Sequence, residues 1–231
     1  MSMKLFFTLT LVFLFIIFFG ICSADDEFFK RGIQYYQNSE FQLATVHFEE
    51  AKKANPRESL IYFYLGNSYY QLNDLDNAIL NFTAGLNFTA QKGTYFYNLG
   101  NCYFLKGNYD FAAEMYSKAL MNDPTLYDSY LNSGNAYYKL GDYPNTIVQW
   151  EMYLKVYPET PQYVKIEKAI AYLKGELSGP SSGTSEEKKG IDEELLSDVL
   201  SDLEELINRT ENVMETSEAP IDDLRSEEIE R

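Results

Sequence analysis

Asn67, Asn101 and Asn135 recur at intervals of 34 residues, and each is followed three residues later by an aromatic side chain, Tyr70, Phe104 and Tyr138. A carboxamide offers both hydrogen-bond donors and an acceptor. A row of them can therefore satisfy an extended polypeptide backbone whatever its side chains. Aromatic neighbours add apolar area and keep such a surface dry. The chain offers little else of this kind. His47 is its only histidine, and its two cysteines, Cys22 and Cys102, lie 80 residues apart. No spacing matches a tetrahedral metal site. Acids such as Glu49 and Glu50 read as solvated helix surface. Cys102 has no adjacent base to lower its pKa, so it reads as a small packing residue. These observations predict no enzyme, no cofactor and no metal.

The asparagines must be carried by elements that repeat with them. Each follows a glycine, Gly66, Gly100 or Gly134, and a fainter copy of the segment places Gly32 before Tyr35 and Tyr36. A glycine inside a helix costs roughly 1 kcal/mol relative to alanine, so four of them in register require a packing reason. Dividing the chain into 25–58, 59–92, 93–126 and 127–160 places glycine at the eighth position of every window. Tyr35, Tyr69, Tyr103 and Tyr137 fall at the eleventh position and are read as core. Ala44, Ala78 and Ala112 fall at the twentieth; Phe48, Phe82, Tyr116 and Trp150 at the twenty-fourth; Pro56, Pro124 and Pro158 at the thirty-second. Asn73-Asp74, Gly107-Asn108 and Gly141-Asp142 are turn signals between two helices of each window. The glycine is expected where two helix backbones cross closely, with the tyrosine one turn on filling the space.

This Gly, Tyr, Ala and aromatic skeleton at a period of 34 resembles the tetratricopeptide repeat (TPR) family, over about 136 of the 231 residues. The resemblance implies an all-α, right-handed solenoid of four helix-turn-helix repeats, TPR 1 to TPR 4 in the windows above. Thr146 and Tyr153 depart from the small residues usual at the twentieth and twenty-seventh positions. Residues 161–175 read as a capping helix, which a solenoid needs to cover its last core face.

The resemblance also implies a peptide-binding groove on the first helices, along positions two, five, nine, twelve and thirteen. In TPR 2 this assigns Phe63, Asn67 and Tyr70 to the site; in TPR 3, Tyr97, Asn101 and Phe104; in TPR 4, Leu131, Asn135 and Tyr138. Asn98 and Asn132 join them at the sixth position, used for peptide contact by some relatives. Family members that grip a terminal carboxylate place Lys at the fifth position, where this chain has Phe29, Phe63, Tyr97 and Leu131. A reader of backbone or apolar motifs is expected instead. By resemblance to exported bacterial cell-envelope members, the expected function is a non-catalytic scaffold that assembles an envelope complex. The alternatives are a structural module that self-associates, or an accessory subunit of an envelope enzyme or uptake system.

The two ends differ from the middle. Lys4 precedes an apolar run from Leu5 to Ile21, and Cys22-Ser23-Ala24 supplies small residues before Asp25. Residues 1–24 are thus expected to direct export, to the periplasm or cell envelope. Three outcomes remain: cleavage after Ala24, lipidation at Cys22, or retention as a membrane anchor. At the other end, residues 186–231 hold 17 acids and 5 bases, a net of −12 out of the chain's −16. The body is nearly neutral and has no basic stripe for nucleic acid. A Gly- and Ser-rich linker, 176–190, leads to 191–214, where Leu196, Val199, Leu203 and Leu206 keep the alternating spacing of a helical seam. This acidic helix is expected to recruit a second partner or to self-associate, and 215–231 to be a disordered acidic tail.

Overall fold

The computed structural model describes residues 27–177, together with Ser197 and Ser201. The segments read as leader (1–24, with Cys22), most of the linker, and the acidic helix and tail lie outside the described residues, those two serines excepted. Every described element is helical, and the helices form TPR-type pairs ending in a capping helix. They fall into two compact units, the first ending at Phe88 and the second beginning at Thr89. Among the described residues no helix is long and apolar enough to cross a membrane.

The first unit contains α1 (residues 27–37), α2 (Phe41–Ala54), α3 (Ser59–Gln71) and α4 (Leu75–Gly85). Its core joins Phe29, Ile33, Ala44, Phe48, Ile61, Phe63, Leu65, Ala78 and Phe82. Small residues on α2 and α4 alternate with one large ring each, so the rings can reach across to the neighbouring helix. Phe48 stacks on Tyr64 with centroids 5.5 Å apart, and Phe63 meets Phe82 edge-on at 6.2 Å.

The second unit contains α5 (Lys92–Leu105), α6 (Tyr109–Asn122), α7 (Asp128–Lys139), α8 (Tyr143–Val156) and α9 (Tyr163–Leu177). Each helix packs on the next in sequence. One cluster gathers Tyr97, Phe104, Ala112, Tyr116 and Ala136. A second gathers Leu131, Trp150, Tyr153, Leu154, Ile166, Ile170 and Leu173. The two departures in TPR 4 pack without disruption. Thr146 is fully buried and its hydroxyl donates to the Asp142 carbonyl at 2.9 Å. Tyr153 is buried against α9, its hydroxyl 3.1 Å from Thr160 Oγ1. The larger ring is accommodated because a capping helix, not a fifth repeat, covers this face.

All four intra-repeat turns share one construction. Ser39, Asn73, Gly107 and Gly141 adopt φ of 60°, 57°, 75° and 73°. The next residue donates its N–H back to the carbonyl of the eleventh-position tyrosine, as in Asp74 to Tyr69 and Asn108 to Tyr103, at 2.8 and 2.9 Å. This left-handed residue with a six-to-one bond closes the helix and satisfies its last carbonyls. In TPR 2 and TPR 4 an aspartate then caps the second helix. Asp74 accepts from the backbone N–H of Asn77 at 3.3 Å, and Asp142 from that of Asn145 at 3.2 Å.

The reason for the eighth-position glycine differs from the sequence expectation. A Cβ on Gly66 would stand 2.5 Å from the Phe82 ring, and one on Gly100 equally close to the Tyr116 ring. Gly32 and Gly134 face Phe48 and Trp150 in the same way. The twenty-fourth-position ring, not a crossing backbone, fills the space. The eleventh-position tyrosines are accordingly not core: Tyr35, Tyr69, Tyr103 and Tyr137 are half-buried. Tyr35 stacks on His47 at 5.0 Å and Tyr103 on Phe111 at 5.5 Å, each at the rim of its helix pair.

Candidate functional site

The missing Cβ at the eighth position has a chemical consequence at the ninth. Because the ring of the second helix closes onto the glycine, its polar atom arrives beside the following asparagine. Tyr116 donates its hydroxyl to Asn101 Oδ1 at 2.8 Å. Trp150 donates its indole N–H to Asn135 Oδ1 at 3.0 Å. An indole N–H can only donate, so the Asn135 oxygen must face it and the amide nitrogen is turned the other way. That nitrogen is buried and meets no acceptor among the described residues; the same holds for Asn67. In TPR 2 the ring is Phe82, which has nothing to donate. TPR 1 pairs Phe48 with apolar Ile33 at the ninth position, so no amide is stranded there.

Asn132 adds a second layer in the same unit. Its amide donates to the Tyr97 hydroxyl at 3.2 Å and to Asn101 Oδ1 at 3.4 Å. Tyr116, Asn101, Asn132 and Tyr97 thus form a buried network joining TPR 3 to TPR 4. Such a network rigidifies the surface above it when its members are satisfied.

The remaining expected site residues occupy two depths. Phe63, Tyr97 and Leu131 at the fifth position are each 2% exposed, and Asn98 and Phe104 are also buried. Tyr70 and Tyr138 are half-buried. Tyr138 lies nearly parallel to Trp150 with centroids 6.2 Å apart and leans on Tyr143 at 5.7 Å. Burial raises its phenol pKa above the ordinary value. The surface therefore has an apolar floor, inward-held amides and half-exposed aromatic rings. Asn67 belongs to the first unit, Asn101 and Asn135 to the second. Sequence reasoning missed the rings that fix the amides. The signal was present in the choice of Tyr116 and Trp150, instead of phenylalanine, opposite two of the three asparagines.

Elsewhere the chemistry is quiet. Cys102 is a free, fully buried thiol, and burial pushes its pKa up to about 12. Among the described residues no three of His, Cys, Asp and Glu gather where they could hold a metal ion.

Tetratricopeptide repeat family profiles match residues 29–86, 94–126 and 128–160, which together exceed half of the chain. The chain belongs to the tetratricopeptide repeat family. Among solved structures it is similar to a crystal structure of MamA protein, at 16% identity and a TM-score of 0.61, covering 82% of this chain and 96% of that one. A second crystal structure of MamA gives 18% identity and a TM-score of 0.57, covering 75% and 94%. The APC/C hetero-tetramer Cut9-Hcn1 gives 17% identity and a TM-score of 0.56, covering 63% of this chain and 29% of that one. At these identities the likeness concerns the fold. No curated protein matches the sequence. As a TPR protein, the chain is a scaffold for protein–protein interaction.

Proposed function

We propose that each unit holds an extended segment of a partner protein against the first helices of its repeats, and that a backbone carbonyl of such a segment accepts from Asn67 in the first unit and from Asn135 in the second. The observation that carries this reading is the pair of buried amide donors without acceptors. A buried donor left unpaired costs about 1–3 kcal/mol. An acceptor brought by a partner removes that cost once the amide turns outward to meet it, and a native structure retains such a defect for a reason. The half-exposed rings of Tyr70 and Tyr138 supply aromatic contacts around the amides, over a floor of buried Phe63, Phe104 and Leu131. The absence of a fifth-position cation favours an internal segment over a chain terminus.

The setting that fits the N-terminal sequence is the cell envelope. Lys4, the apolar run Leu5–Ile21 and the small residues before Asp25 support export with cleavage after Ala24. Assembly of an envelope complex is the role consistent with an exported scaffold.

The test uses partners captured by crosslinking the mature protein in its own cells. Asn67→Ala deletes an unpaired donor that nothing in the fold relies on. It is expected to weaken binding of the captured partner several-fold while leaving folding stability unchanged or higher. Unaltered affinity in Asn67→Ala would exclude the amide as a contact.

A further inference from the structure

Helices α8 and α9 diverge to leave a cleft of about 410 Å³. Its floor is apolar, formed by Leu154, Ile170 and Ala171 with the ring of Tyr163. Lys155 and Lys174 stand along its walls with Glu151 and Glu167, and Lys174 bridges to Glu151 at 2.6 Å. The cleft is open to solvent: Glu167, Ala171 and Lys174 on its α9 side are exposed. α9 carries Lys165, Lys168 and Lys174 against Glu167 and Glu176.

We propose that the acidic segment 191–214 of the same chain docks as a helix into this cleft, its apolar seam of Leu196, Val199 and Leu203 covering the floor. Two observations favour this occupant. The first is the tether. The chain leaves α9 at Leu177, and thirteen Gly- and Ser-rich residues separate it from Ile191. A chain of that composition and length reaches about 20 Å, close to the length of α9, about 22 Å. An occupant so attached is present at an effective concentration in the millimolar range, so a weak contact suffices.

The second comes from the two described residues of the tail. Ser197 and Ser201 are helical and exposed. At about 100° per residue, both fall on the side of a helix opposite the seam of Leu196, Val199 and Leu203. This is the orientation that docking through the seam requires.

A zero-length carbodiimide crosslink on the full chain tests the assignment, using an equal mixture of ¹⁴N- and ¹⁵N-labelled protein. The expected products join Lys155, Lys168 or Lys174 to carboxylates of 192–205 within a single isotope. The double variant Leu196→Glu/Leu203→Glu, outside the folded body, should reduce them several-fold and speed amide exchange in α9 to a similar degree. Mixed-isotope crosslinks would assign the cleft to a second copy and overturn the proposal. Absence of these crosslinks, or their survival in the double variant, would overturn it equally.

Discussion

The indole N–H of Trp150 lies 3.0 Å from Oδ1 of Asn135, and this bond fixes the direction of an amide whose nitrogen has no acceptor. One residue earlier, Gly134 provides the space that lets the indole approach. Core packing and candidate recognition surface are thereby coupled through consecutive residues.

Asn135→Ala and Asn67→Ala should consequently behave differently. The first strands the buried indole N–H and is expected to cost about 1–3 kcal/mol. The second removes a donor that pairs with nothing and should be neutral or stabilising. Urea unfolding followed by the emission of Trp150, the chain's only tryptophan, measures both. Equal losses in the two variants would contradict the assigned orientation.

Two glycines of TPR 3 offer a matched comparison. Gly100→Ala drives a Cβ into the buried Tyr116 ring and should cost about 1–3 kcal/mol or more through overpacking. Gly107→Ala meets nothing within 4 Å but holds φ at 75°, so its cost is conformational, about 1–2 kcal/mol. Adding Tyr116→Leu should relieve part of the first loss and none of the second. A double-mutant cycle measures that coupling.

Ser39 occupies the left-handed turn position that Gly107 and Gly141 fill elsewhere. Ser39→Gly removes the side-chain penalty of that conformation and should stabilise the first unit by up to about 1 kcal/mol. Denaturant midpoints of the two proteins decide the point, and a lower midpoint in the variant would refute it.

Alkaline pH should weaken the fold. Burial raises the Cys102 thiol from an ordinary 9.0 to about 12 and the Tyr153 phenol from 10.0 to about 12. Both folded groups hold their protons where the unfolded chain loses them. Their contribution to stability is therefore full below about pH 9 and declines as pH rises toward 12. Cys102→Ala should remove the part of this decline that begins near pH 9. In the folded protein Cys102 should resist a thiol reagent at pH 8 and react on unfolding, read by peptide mapping; rapid native labelling would disprove its burial.

The glycines at 32, 66, 100 and 134 already marked the repeat in the sequence, because a helix tolerates such residues in register only when something large packs against each. Turn residues such as Asn73-Asp74 and Gly141-Asp142 were equally legible, since a left-handed residue and an N-cap are local requirements. The segment 161–175 likewise pointed to the capping helix. Local rules determined helix number, pairing and ends. What faced the glycines was not local. The ring 16 residues away occupies the space, and only the packed pair shows it, displacing the eleventh-position tyrosines to the rim. For the same reason the sequence could place Asn67, Asn101 and Asn135 in register but could not orient them. An amide turns freely about its last bond until a partner fixes it, and the partner is a tyrosine or tryptophan on another helix. Tertiary structure decided which amide oxygen is held and which nitrogen is left without an acceptor.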